Sequence, residues 1–509
     1  MIGALIGAIL LGFPVSFTIA GVAVIFAFLG FATGQMDITL LGALGQRIFG
    51  VITNDVLIAI PLFVLMGIVL EKSRIAEDLL ETMGQLFGAL RGGLGISVVL
   101  VGALLAASTG IVGATVIAMG LIALPTMLRS GYDPKLASGI VCTSGTLGQI
   151  IPPSTLLIIL SDVMSNSYQQ AQYAQGKFTI DTISVGQIFA AALLPGLVLV
   201  VIYIVYISLR AWLFPAHAPA VYDDTGNRPS LARIVAAILP PVILIIAVLG
   251  AILSGIATPT EAASVGVMGA FLLAGYRIGG ARRLVVLGAL ALLILAVAAG
   301  AAPVRLQRSD VTLIDWVQGA AYLGLALLGL AAIASGIVSL NRKRLLTPSL
   351  TSTMSLTAMI FATIITASIF SLVFVGLGGE ERIRDVLSAM PGGATGALIF
   401  SMAVIFVLGF FLDFVEITVI VLPLITPVLM VMGHDPIWLS VLIAVNLQTS
   451  FLTPPFGFSL FYLRSVAPPE ISTGAIYRGV LPFILLQIVG ISVIWIAPDI
   501  AKWLPSVIF

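Results

Sequence analysis

Charge is what this chain has least of. Its 23 Lys and Arg and 22 Asp and Glu amount to 9% of 509 residues, whereas 60% are hydrophobic and the mean hydropathy is +1.20. A soluble protein has no means of hiding so much apolar surface, so lipid is the solvent. The formal net charge of +1 gives no sign of a nucleic-acid partner. The one cysteine, Cys142, excludes an internal disulfide and a thiolate metal cluster. Two histidines, His217 and His434, stand far apart in polar connections, too few ligands for a catalytic metal. The apolar spans hold almost no Lys, Glu or His of the kind a proton-pumping subunit strings along the midplane. Neither a catalytic aspartate pair nor a His-Glu-x-x-His motif is present, so no enzymatic function is expected. The opening stretch lacks a basic n-region and does not read as a cleavable signal peptide.

What is there occurs twice. Gly131-Tyr132-Asp133-Pro134 runs into an apolar helix that breaks at Ile151-Pro152-Pro153; Gly433-His434-Asp435-Pro436 runs into another that breaks at Thr453-Pro454-Pro455. A constant offset of 302 residues relates these positions, and it also relates Pro125 to Pro427. A duplicated apolar unit, interrupted at corresponding places, marks a two-fold secondary transporter.

A crossing needs ~20 apolar residues at 1.5 Å each. Stretches meeting that length are 15–33, 53–70, 185–209, 232–256, 259–276, 281–302, 314–339, 351–376 and 479–500; residues 1–13 are apolar but short. Basic clusters at Arg210/Arg228/Arg233, Arg277/Arg282/Arg283 and Arg342/Lys343/Arg344 are separated by pairs of spans, so all three can face the cytoplasm, with Lys72, Arg74 and Arg91. Following the crossings puts 71–92 inside and its counterpart 380–393 outside, so the repeats are inverted; Arg305, Arg308, Arg382 and Arg384 fall outside, against the trend. Charges at helical spacing in 71–92 and 380–393 predict amphipathic helices in the interface. Residues 277–345 have no counterpart in the first half.

Four apolar stretches, 94–129, 136–160, 394–431 and 437–463, are interrupted by small and polar residues. An unpaired backbone group in hydrocarbon costs several kcal/mol, so a break there lines protein, water or a bound ion. The first and third read as re-entrant hairpins, turning at Ser108-Thr109-Gly110 and at Leu412 to Glu416; a pair of ordinary short spans is the alternative for the first. The other two read as crossing helices with unwound centres. Ser144, Gly145 and Thr146 precede Pro152 and Pro153 in one, while Asn446, Gln448, Thr449, Ser450 and Thr453 precede Pro454 and Pro455 in the other. Proline removes a donor and pushes away the carbonyl one turn back. Those carbonyls and the neighbouring hydroxyl and amide oxygens suit a weakly held Na⁺, and the following helix N-termini favour an anionic group. Asp413 and Glu416, at i and i+3, are carboxylates in the membrane and by default functional. Their alternative role is to cap the second hairpin's half-helix. Arg464 reads as a snorkelling anchor.

At these residues the chain resembles the large membrane subunit (DctM type) of the tripartite ATP-independent periplasmic (TRAP) transporters. Gly12-Phe13-Pro14-Val15, Pro61-Leu62-Phe63, the Gly131 and Ile150–Ser154 motifs, Thr258-Pro259-Thr260-Glu261-Ala262 and Leu452-Thr453-Pro454-Pro455 carry the resemblance. The runs Gly409–Ile417 and Asn446–Phe451 resemble the branch labelled mannitol/chloroaromatic or lactate/2-oxo acid. The resemblance implies an all-α polytopic protein of two inverted repeats with re-entrant hairpins and discontinuous helices, working as an elevator in a bacterial inner membrane. It implies import of a small organic acid such as a C3–C4 carboxylate, driven by Na⁺ as coupling ion with no other cofactor. It further implies a small four-helix (DctQ-type) membrane subunit and a periplasmic (DctP-type) binding protein as partners. Ion sites are implied at Ser108 to Gly110, Ser144 to Thr146, Asp413 and Asn446 to Thr453. On that footing 1–92 holds scaffold helices and a cytoplasmic arm, 93–184 a transport unit, 185–276 connecting and scaffold helices, and 277–345 an inserted pair of spans. Residues 346–393 then hold a scaffold helix and external arm, 394–478 the second transport unit, and 479–509 the last span. A stand-alone Na⁺- or H⁺-coupled anion permease, needing no binding protein, is the competing reading.

Overall fold

The computed structural model describes residues 1–110, 112–221, 230–279, 281–304, 307 and 311–509, without the side chains of 38 and 106–109. Arg228, Arg305 and Arg308 therefore lie outside the described residues. Among the described residues every regular element is a helix. The first half contains α1 (Ile2–Leu10), α2 (Val15–Ala32), α3 (Leu44–Ile52), α4 (Asp55–Lys72), α5 (Ile75–Phe87), α6 (Gly93–Thr109), α7 (Val112–Arg129), α8 (Pro134–Thr146), α9 (Thr155–Ala174) and α10 (Val185–Leu213). Between the halves lie α11 (Leu231–Leu253), α12 (Pro259–Ile278), α13 (Arg282–Ala301) and α14 (Leu313–Arg342). The second half contains α15 (Leu346–Gly376), α16 (Gly379–Ser388), α17 (Gly393–Leu408) and α18 (Phe414–Val431). It ends with α19 (Pro436–Leu452), α20 (Phe458–Val466), α21 (Thr473–Ile496) and α22 (Asp499–Ile508). Nine helices among the described residues are long and apolar enough to cross a membrane.

The duplicated Gly-x-Asp-Pro motif is a helix start. Gly131 and Gly433 take positive φ (+81° and +101°), which glycine alone adopts without strain. Asp133 then accepts from the Lys135 N–H and Asp435 from the Trp438 N–H, capping α8 and α19, whose first residues are Pro134 and Pro436. The 302-residue offset holds at the next level too, relating the start of α7 at Val112 to that of α18 at Phe414.

Helix ends show the inversion. α10 has 29 residues, about 43 Å at 1.5 Å per residue, so its ends lie on opposite faces. α5 sits at the far end of α10, since Gly88 and Gly92 just after α5 pair with Val221 and Ala218 just after α10. On α5, Asp78 pairs with Arg277 and Glu81 with Arg233, the latter at 2.8 Å. α16 sits at the other face: Glu380 and Arg384 share a crevice with Gln170 and Ala174 at the end of α9, the helix that leads into α10. The two arms thus occupy opposite surfaces, as two-fold symmetry in the membrane plane requires.

Two packed groups result. In one, α2 and α4 lie along α15, and α12 along α4, with Ser16 hydrogen-bonded to Thr363 at 3.1 Å and Thr260 Oγ1 donating to the Asp55 carbonyl at 2.6 Å. The α13–α14 hairpin rests on the outside of this group through α12, where a side chain at Gly275 would meet the Gly336 backbone at 2.8 Å. The other group joins the two halves crosswise. α7 packs on α20 and α18 on α9, with Thr426 donating to Ser167 at 2.8 Å. α21 packs on α8 so closely that any Cβ at Gly139 would collide with the Gly479 carbonyl.

Candidate functional site

Each discontinuous helix comes apart at its proline pair. α8 ends at Thr146, a short 3₁₀ turn covers Leu147–Gln149, and α9 begins at Thr155; α19 ends at Leu452 and α20 begins at Phe458. Both proline pairs, Pro152-Pro153 and Pro454-Pro455, are joined by cis peptide bonds. The second proline of each pair has no N–H to give the carbonyl four residues back, at Gln149 and Phe451. Hydroxyls from across the gap take up both. Ser154 Oγ donates to the Gln149 carbonyl at 2.9 Å, and Ser459 Oγ to the Phe451 carbonyl at 2.7 Å. The two freed carbonyls are therefore not bare ligands as the sequence suggests; each keeps one lone pair.

The hairpin tips close on these breaks. In the first half Gly110 (φ +60°) presses on the restart of the broken helix, and Thr155 Oγ1 donates to the Gly110 carbonyl at 2.7 Å. A Cβ at Gly110 would stand 2.9 Å from the Thr155 nitrogen, so only glycine fits. Ser108 and Thr109 end α6, and their side chains lie outside the described ones. In the second half the tip reaches its break through rings, Phe411 against Phe456 with centroids 5.3 Å apart. Asp413 and Glu416 form a reciprocal cap there. Asp413 Oδ1 accepts from the Phe414 N–H at 2.7 Å, and Glu416 Oε2 accepts from the Asp413 N–H at 2.8 Å. The capping alternative thus describes their local geometry, and it leaves two carboxylates at the tip of a membrane hairpin. Tyr462, whose ring would block any side chain at Gly113, lies within electrostatic reach of both.

The remaining predicted residues divide into those facing one another and those packed locally. Gln448 Nε2 donates to Thr146 Oγ1 at 3.2 Å. These two residues are 302 apart, so equivalent positions of the two halves touch, and the pseudo-two-fold axis passes between them. Ser144, Thr449, Ser450 and Thr453 each donate to a carbonyl of their own helix, at 2.6, 2.8, 2.8 and 2.8 Å. A hydroxyl whose proton is so committed turns its lone pairs outward. Asn446 Nδ2 donates to the Met402 carbonyl of α17 at 2.8 Å. Gly145 is a contact position, since a Cβ there would strike Val116 of α7. Arg464 donates to the Ile471 carbonyl at 2.6 Å, tying down the end of α20.

Sequence reading missed three residues, Gln149, Thr143 and Asp162. Gln149 is fully buried and neither end of its amide has a partner among the described residues; Thr143 Oγ1 and, on the already predicted Gln448, Oε1 are likewise buried without a partner among them. All three flank the axis or the first break, and such groups ordinarily find a water, ion or ligand. Gln149 carried a signal, four residues before Pro153. Asp162, a carboxylate within the 20-residue helix α9, accepts from Asn54 Nδ2 at 2.9 Å, linking α9 to the start of α4. A lone acidic residue in an apolar stretch was the sign that could have found it.

Broken helices, paired hairpins and inverted arms define a secondary-transporter fold. The description "Tripartite ATP-independent periplasmic transporter, DctM component" matches residues 2–500, so the chain belongs to the DctM component family of these transporters. It is similar to the C4-dicarboxylate TRAP transporter large permease protein DctM of Vibrio cholerae, with 27% identity over 99% of this chain and 96% of that protein. It is also similar to the ectoine TRAP transporter large permease protein TeaC of Halomonas elongata, with 25% identity over 100% and 99%. Among solved structures it matches the Alcanivorax borkumensis YdaH transporter, whose topology is described as unusual, with a TM-score of 0.52 and 16% identity over 92% of this chain and 87% of that one. That likeness concerns the fold. Its relatives are transporter permeases, and the chain is a multi-pass membrane protein of the same kind.

Proposed function

We propose that this chain is the large permease of a Na⁺-coupled importer of a small organic acid, moving its cargo by an elevator motion in a bacterial inner membrane. The observation that carries this reading is the Thr146–Gln448 contact on the pseudo-two-fold axis, with the unpartnered Gln149 amide, Thr143 hydroxyl and Gln448 carbonyl oxygen buried around it. A buried polar group without a partner costs about 1–3 kcal/mol, so this arrangement supports occupation by a cargo.

The residues fit such a cargo. Na⁺ is held by neutral oxygens, which the outward lone pairs of Ser144, Thr146, Thr449, Ser450 and Thr453 supply, with the tip carboxylates Asp413 and Glu416 adding negative charge. The N-terminal ends of α9 and α20 meet the breaks and favour an anionic group. Ion binding that ties a hairpin tip to its break completes the pocket, which is the differential affinity that coupling needs.

The crosswise group, including α10 and α21, is the moving unit in this account, and α2, α4, α11, α12 and α15 are the fixed one. The Asn54–Asp162 bond between them must break in each cycle. A small DctQ-type four-helix subunit and a DctP-type periplasmic binding protein complete the assembly, the latter selecting the acid. Uptake of labelled C3–C4 acids into proteoliposomes tests this. Requirement for both binding protein and inward Na⁺ gradient is expected; uptake that needs neither refutes it, and uptake driven by Na⁺ without the binding protein favours a stand-alone permease.

A further inference from the structure

Three arginines from three different helices converge at the arginine-rich end of the molecule, away from the transport site. Arg233 stands in the first turn of α11, Arg277 in the last turn of α12 and Arg282 at the start of α13. Together with α5 they line a cavity of about 220 Å³, whose lining also includes Pro240, Pro241 and Leu273. Two of the three cations are matched, Arg277 by Asp78 and Arg233 by Glu81. Arg282 has no carboxylate among the described residues; its guanidinium lies over the Tyr276 ring, 5.7 Å from the centroid. The start of α13 also lacks a side-chain cap, and a cation in a first turn opposes the helix dipole. The cavity lining therefore holds one cation without a carboxylate partner, at the exposed, uncapped start of α13.

We propose that this cavity binds the phosphodiester headgroup of an anionic phospholipid from the cytoplasmic leaflet. A single phosphodiester charge neutralises Arg282 and caps α13, and the acyl chains leave past Pro240 and Pro241 into the bilayer. Basic pockets between helices at this face are where acidic headgroups bind. The lipid would pin the amphipathic helix α5 to α11 and α12, at the point where the first arm meets the fixed helices. This assignment stands apart from the cargo and the coupling ion.

The test uses the full-length chain, delipidated in detergent, with native mass spectrometry reading lipid binding and thermal unfolding reading stability. Phosphatidylglycerol should bind saturably and raise the unfolding temperature, while phosphatidylethanolamine and inorganic phosphate should do neither. Arg282→Gln should weaken phosphatidylglycerol binding about fivefold, the increment of one basic side chain near a membrane surface. Arg342→Gln, at the same end but outside the cavity, should leave it unchanged. Should Arg282→Gln not fold, Arg233→Gln provides the second reading, with the same loss expected. Equal binding of the two lipids, binding by inorganic phosphate alone, or wild-type affinity in the cavity variants would overturn the proposal.

Discussion

The two breaks share a backbone and differ in their surroundings. Around the first, Ile150, Pro152, Pro153, Ser154 and Thr155 are all buried, sealed by the Gly110 tip and by α10, where a Cβ at Gly196 would sit 3.1 Å from Ile151. Around the second, Pro455 and Phe456 are exposed, Phe456 by 45%. The first tip is tied to its break by a hydrogen bond to a carbonyl, the second by a tilted contact between two rings. Duplication supplied the same cis-proline device twice, and sequence divergence closed one copy and left the other open. In this structure the first break is covered by its surroundings and the second is open.

The largest effect is expected where the sealed break depends on one glycine. Gly110→Val should reduce uptake about tenfold or more by forcing the tip off Thr155, a backbone-strain mechanism. Its counterpart change Leu412→Val, at a position that makes no such approach, should be mild; equal losses would break the comparison. Next, Asp413→Ala should abolish the Na⁺ dependence of uptake while the protein remains inserted, and unchanged Na⁺ dependence would remove Asp413 from the ion site. Gln149→Leu separates function from packing. Because it removes two unpartnered buried polar atoms, stability should hold or rise by about 1 kcal/mol, while uptake falls severalfold. A variant that unfolds would make Gln149 a structural residue. The smallest effect belongs to Thr146→Val, which deletes the contact with Gln448 on the axis and the hydroxyl's bond to the Thr143 carbonyl and should lower stability by about 1–2 kcal/mol, measured by thermal unfolding.

Much of the fold was legible because hydrocarbon enforces it. Apolar length marked seven of the nine crossing-length helices among the described residues. The stretches 53–70 and 259–276 do not reach that standard alone, whereas Val112–Arg129 and Phe414–Val431, read as hairpin limbs, do. The 302-residue offset tied the halves together down to the starts of α7 and α18. The Gly-x-Asp-Pro motif was legible as a position but not as a purpose; it turned out to be a cap. The site was legible in outline, since prolines and hydroxyls in apolar runs stand out. Contacts between distant segments were not. Thr146 against Gln448, Thr155 against Gly110 and Asn54 against Asp162 arise from crosswise packing, which no local pattern encodes. Gln149 was passed over because a single amide beside a proline pair looks like helix-end polarity until its burial is seen.

Cysteine accessibility at the two breaks tests the central claim most directly. Native Cys142 is buried, so single cysteines at position 456 or position 154 can be read against it with a membrane-impermeant thiol reagent, with and without Na⁺. The account predicts ready labelling of Phe456→Cys that Na⁺ slows, and resistance of Ser154→Cys in both conditions. Equal labelling at the two positions, or labelling at 456 that ignores Na⁺, would contradict it.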